Sequence, residues 1–171
     1  MGESQPSTRW SVKNIYSELE TFLDEINFPI MDKPDGFGQR YSFPSDVSKL
    51  RWEELGNLQL QLGAWLSCGL RLQGKEETEL SVFETVYDIK LWARIADENG
   101  KHPVTKRSLT KDELRGKIVD EDEQLARQTQ NLILRRAKVQ SLKTQNQIYS
   151  EQLTRLSREQ SRRESEARLL G

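Results

Sequence analysis

Val12, Ile15, Tyr16, Leu19, Phe22, Leu23 and Ile26 fall at three- and four-residue steps, the spacing of one face of an amphipathic helix. The next stretch, PIMDKPDGFGQRYSFPS, concentrates Pro, Gly and Asp, and predicts a linker or ordered loop between an N-terminal helical arm, residues 1–45, and a main body, residues 46–171. Ser45 as N-cap, with Asp46 in the first turn, predicts a second helix bearing Val47, Leu50, Leu55, Leu58, Leu62, Trp65 and Leu72. Gly63 and Gly69 inside it mark either local weakness or the close approach of a neighbour. A short break at GKEE, residues 74–77, turns the chain into a third helix with Leu80, Phe83, Val86, Tyr87, Leu91, Trp92 and Ile95, stopped by Gly100 and Pro103. Together these two helices read as an antiparallel hairpin.

The last helix is the longest. Thr110 and Glu113 have capping-box spacing, and from there the pattern runs without Pro, and without Gly after Gly116, to Leu170. If continuous at 1.5 Å per residue, such a helix is about 90 Å long. Ile118, Leu125, Leu132, Val139, Asn146 and Leu153 recur every seven positions. A second stripe, Leu142, Tyr149 and Leu156, completes an a/d seam only in the later part, because its earlier members are Glu121, Gln128 and Arg135. The fold class is therefore all-α: a helical hairpin, then a long C-terminal helix that packs on it and presents a coiled-coil seam. Val139, Leu142, Asn146, Tyr149, Leu153 and Leu156 are the expected oligomerisation residues, with Asn146 setting register.

Composition narrows the function. Of 171 residues, 35% are apolar and 31% charged, a balance that suits long exposed helices better than a thick layered core. No run reaches the roughly 18 apolar residues that a membrane span needs, and MGESQPSTRW lacks a signal-peptide core, so a soluble, cytoplasmic chain with no membrane partner is expected. Cys68 is the single cysteine and His102 the single histidine, which leaves no disulfide and no thiolate or imidazole cluster for a metal. There is no phosphate-binding glycine loop, no nucleophile elbow and no HExxH. No catalytic residue, metal or cofactor is expected; the chain reads as a non-enzyme.

Charge is where the sequence becomes specific. Residues 1–100 hold ten Lys or Arg against seventeen Asp or Glu, and residues 101–171 hold sixteen against ten, so the halves carry opposite charge in a chain of net −1. That polarity suits self-association, an anionic partner, or both. The segment RLSREQSRRE packs four arginines, Arg155, Arg158, Arg162 and Arg163, into ten residues. They form either a solvated ladder with Glu159, Glu164 and Glu166 or a cationic row for phosphates. Arg135, Arg136, Lys138 and Lys143 meet no acidic residue along their own helix before Glu151. A second basic group, Lys90, Arg94, Lys101, Lys106, Arg107 and Lys111, surrounds the connector after the third helix, with Trp92 beside Arg94. Here Trp92 is either core or a stacking platform for an unpaired base.

The order of elements, the step Ala93-Arg94-Ile95, the connector TKRSL and the helix opening LRGKIVDEDEQL resemble the phage recombination mediator family of the UvsY type over roughly residues 46–160. Where that family favours a lysine two residues before Arg94, this chain has Trp92, with Lys90 two further back. The resemblance implies a small all-helical, ring-forming protein of a phage-infected host cytoplasm. It would bind single-stranded DNA, help load a strand-exchange recombinase and counteract a single-strand-binding protein. The expected DNA-binding residues are Lys90, Trp92, Arg94, Lys101, Lys106, Arg107 and Lys111, repeated around a homo-oligomer so that weak contacts add. The alternative is a scaffolding coiled coil that self-assembles and touches no nucleic acid.

Overall fold

The computed structural model describes residues 32–97 and 108–170, together with Ser17, Glu18, Thr21, Phe22 and Glu25, which are helical and exposed. The remainder of the expected N-terminal helix lies outside the described residues. Among those described, the architecture is all-α: a 3-10 turn at Val47–Lys49, then α1 (Trp52–Asp97), α2 (Lys111–Glu121) and α3 (Glu123–Leu170).

Two expectations about helix boundaries are corrected. The predicted turn at residues 74–77 is absent, and α1 runs straight through it. A lone glycine weakens a helix by only about 1 kcal/mol against alanine. Here Lys75, Glu76 and Glu77 are good helix formers, and Glu76 pairs with Lys138 on α3. The hairpin consequently forms one level higher, between α1 and the C-terminal helices. The start of α1 also moves. Asp46, not Ser45, caps the 3-10 turn, accepting from Ser48 N at 3.0 Å, and α1 begins six residues later.

The long C-terminal helix is interrupted at Asp122. Asp122 has extended dihedrals, φ −108° and ψ 100°, and is at once the C-cap of α2 and the residue that precedes α3. Its N–H still reaches Ile118 O at 2.9 Å, while its carboxylate accepts from Gln124 N at 2.9 Å and Leu125 N at 3.1 Å. The run DEDE thus supplies an N-cap and, in Glu123, a first-turn acid for α3.

The chain divides into two compact units, one of residues 1–29 and 77–136 and one of residues 30–76 and 137–171. In the first, Tyr87, Leu91, Leu114, Ile118, Leu125 and Leu132 make the core. Tyr87 Oη lies 2.8 Å from Thr129 Oγ1, and Arg135 and Arg136 reach Glu79 and Glu84 at 3.1 and 2.7 Å, an antiparallel register.

In the second unit, Leu55, Leu62 and Trp65 of α1 pack with Tyr149 and Leu156 of α3. The Pro/Gly-rich segment belongs to this core and does not stand apart as a linker. Gly36 has φ +73°, a conformation that glycine adopts without steric cost, and the turn it makes drives Phe37 inward until it is 7% exposed. Trp65 Nε1 donates to Asp35 O at 2.8 Å, and Tyr41 meets the Trp65 ring edge-on at 5.1 Å between centroids. Residues 34–50 therefore form a strap over one side of the helix pair.

Candidate nucleic-acid interface

The capping box at the start of α2 is formed as expected: Glu113 N donates to Thr110 Oγ1 at 3.3 Å, and Thr110 N to Glu113 Oε2 at 2.9 Å. It holds Lys111 at the first helical position, where the helix dipole disfavours a cation. Lys111 Nζ sits 5.5 Å from the centre of the Trp92 ring. Trp92 is 49% exposed, so it is a surface side chain; Leu91, one residue earlier, is the buried one. Lys90 and Arg94 are also exposed. At about 100° per residue they lie on the flank of α1 opposite Trp92, with the buried stripe of Tyr87 and Leu91 between. The structure thus joins Trp92 with Lys111, and Lys90 with Arg94, as two separate pairs. Lys101, Lys106, Arg107 and His102 lie outside the described residues.

The other cation rows are answered inside the chain. Arg135 pairs with Glu79 and lies over the Phe83 ring at 5.3 Å, Arg136 pairs with Glu84, and Lys138 with Glu76. Acids on α1 supply what the local sequence of α3 lacks.

RLSREQSRRE is more than a solvated ladder. Glu159 is 8% exposed and accepts from Arg162 Nη2 at 2.8 Å and Arg163 Nε at 2.6 Å. Those hydrogen bonds, Arg162 first, lower its carboxyl to about 2, and Glu159 with Glu166 raises the Arg162 guanidinium. Arg163 Nη2 then donates to the carbonyls of Ser48 at 3.0 Å and Leu50 at 2.8 Å, clamping the strap's end onto α3. Arg155 lies 5.2 Å from the Phe43 ring. Two of the four arginines, Arg155 and Arg163, reach residues 43–50, while Arg162 pairs with Glu159 and Glu166 along the helix. The reach to residues 43–50 was invisible along the helix, because its partners lie more than a hundred positions away.

The expected oligomerisation seam is covered within the protomer. Val139, Asn146, Tyr149 and Leu156 are 6% exposed or less, and Leu142 and Leu153 are half-buried. Asn146 Nδ2 donates to Gln73 Oε1 at 2.8 Å, while its Oδ1 is buried without a hydrogen-bond partner. The partner helix that the seam called for is α1 of the same chain.

A polar groove beside the strap is lined by Gln39, Tyr41, Gln140, Gln145 and Gln152, among others, and carries no charged side chain. Burial, with Tyr149 nearby, pushes the Tyr41 hydroxyl up to about 12, so it stays protonated throughout the physiological range. Cys68 is free and buried. Among the described residues no three His, Cys, Asp or Glu side chains are grouped to hold a metal ion, and no helix is long and apolar enough to cross a membrane.

Comparison with known proteins adds no relative. No family model, no curated protein and no solved structure matches the chain.

Proposed function

We propose that this chain is a non-catalytic single-stranded DNA-binding protein whose contact surface is the end of α1 and the start of α2. One observation carries the reading: Trp92 stands half out of the surface with the Lys111 ammonium over its ring, while Lys90 and Arg94 stand exposed on the other flank. Stacking of a base on an aromatic ring contributes about 1–3 kcal/mol, and Lys111 beside the ring is placed to meet a phosphate. The connector adds Lys101, Lys106 and Arg107 by sequence. Lys111 at a position that the α2 dipole disfavours fits a side chain kept for binding.

The finer role, a recombination mediator that assembles as a homo-oligomer and helps load a recombinase in the host cytoplasm, rests on the resemblance of residues 46–160 to the UvsY-type family. A scaffolding role without nucleic acid is the second reading. It is favoured by the internal pairing of Arg135, Arg136, Lys138, Arg162 and Arg163.

Fluorescence anisotropy of a labelled single strand, titrated at two salt concentrations beside a duplex of equal length, separates them. Single-strand preference that weakens with salt, and that Trp92→Ala and Arg94→Glu each reduce at least tenfold, supports DNA binding. Flat anisotropy at low salt and micromolar protein removes it and leaves the scaffold.

A further inference from the structure

The polar groove beside the strap is used neither by the packing of the helices nor by the DNA-binding reading. Gln39 and Tyr41 of the strap line it, together with α3 side chains between Gln140 and Gln152, all within the unit of residues 30–76 and 137–171. Its volume is about 500 Å³, a size at which pockets take small ligands or short segments of chain.

Three buried side-chain oxygens lack a hydrogen-bond partner among the described residues. One, Asn146 Oδ1, faces Gly69 of α1; the other two, Tyr41 Oη and Gln152 Oε1, belong to side chains that line this groove. Folded proteins seldom leave such atoms unpaired, because each has given up its water without recompense. The two are of opposite sense. Burial keeps the Tyr41 phenol protonated, so it has a proton to donate, whereas the Gln152 amide oxygen only accepts. A group that answers both offers a carbonyl to Tyr41 and an N–H to Gln152.

The rest of the lining narrows the ligand. With no charged side chain in the wall, an ammonium, carboxylate or phosphate would lose water there without gaining a counter-charge, so the ligand is neutral. From Gln140 to Gln152, α3 advances about 18 Å at 1.5 Å per residue, the length of about five residues of extended chain. Gln39, Gln140, Gln145 and Gln152 each carry a carboxamide, which has the donor and acceptor of a peptide group and pairs with one in both directions. Gln145 Nε2 donates to Tyr149 Oη at 2.7 Å, which holds that amide in place. Ile148, 46% exposed, offers an apolar spot for an alkyl side chain.

We infer that the groove between the strap and α3 binds an extended, uncharged peptide segment through its main-chain amides, with Tyr41 donating to a carbonyl and Gln152 accepting from an N–H. The site shares no residue with the Trp92 region, so its failure leaves the DNA-binding reading standing, and the reverse holds.

Nitrogen–proton correlation spectra of the full chain, titrated to millimolar with the capped pentapeptide acetyl-Ser-Gln-Ser-Gln-Ser-amide, test it, with cellotriose as a neutral ligand of similar length that lacks amides. The side-chain amide signals of Gln140, Gln145 and Gln152 should shift and saturate with the peptide. Tyr41→Phe and Gln152→Met should each weaken that binding roughly fivefold or more, while the urea midpoint of the unliganded protein stays the same or rises, because each substitution removes a buried atom that has no partner. Absence of shifts, an equal or stronger response to cellotriose, or wild-type peptide binding by Tyr41→Phe would each overturn the inference. So would a lower urea midpoint or loss of folding in Tyr41→Phe, since the hydroxyl would then be answered within the unliganded protein.

Discussion

Gly69 and Asn146 give the sharpest test of the packing between α1 and α3. A Cβ built on Gly69 would fall far inside van der Waals contact with Asn146 Oδ1 and 3.1 Å from its Cγ, whereas one on Gly74, five residues on, meets nothing. Substitution by alanine therefore has opposite signs at the two sites. At Gly74 it gains about 0.5–1 kcal/mol of helix propensity. At Gly69 the same gain is set against overpacking of about 1–3 kcal/mol, a net loss of up to about 2 kcal/mol. Asn146→Ala removes the obstructing amide, and in that background Gly69→Ala should become stabilising by up to about 1 kcal/mol. The coupling between the two sites is then about 1–3 kcal/mol, large enough for a double-mutant cycle to resolve. Urea unfolding followed by far-ultraviolet circular dichroism measures all four corners and the Gly74→Ala control. Additivity of the two substitutions, or stabilisation by Gly69→Ala in the wild-type background, would refute the close approach and the register that places Asn146 over Gly69.

Three more outcomes follow from the geometry. Leu156, which is 0% exposed, should cost about 2–5 kcal/mol when cut to alanine, read as a lower urea midpoint with little change in slope. Asp122→Ala removes the acceptor for Gln124 N and Leu125 N and should destabilise by about 1 kcal/mol, with amide exchange quickening first around residues 122–126; uniform quickening would argue against a local cap. Glu159 is held at about 2 against an unfolded value near 4.3, so its contribution is fully present above about pH 4.3 and is lost as pH falls through about 2. Glu159→Gln should flatten that part of the stability profile, and an unchanged acid limb would show that the arginine pair does not hold the carboxylate.

Much of the fold was legible from spacing. The heptad run Ile118, Leu125, Leu132, Val139 and Asn146 marked the buried stripe of α2 and α3, and every one of these is 5% exposed or less. The Thr110–Glu113 box was readable because its two partners are three residues apart. The expected break at residues 74–77 is not formed, for a related reason. Gly74 drew attention to that segment, yet a glycine only lowers helix stability locally, and packing on both sides can outweigh it. At Asp122 the change of direction depends on a carboxylate turning back to cap the following helix. The candidate site was half legible: the cluster around Trp92 was visible as composition, but the sequence left open whether Trp92 faced the core.

The sequence by itself determined helical content, the apolar stripes and the capping box, because each is a property of neighbours within a few turns and follows from helical periodicity. Only the tertiary structure decided what each stripe meets. It paired the C-terminal seam with α1 of the same chain, turned the α3 cations toward acids more than fifty positions away, set Tyr41 edge-on to Trp65, and left Leu60 and Leu70 exposed. Periodicity specifies that a face must be covered. Which face covers it depends on contacts between residues far apart in the chain, and those exist only once the whole chain has folded.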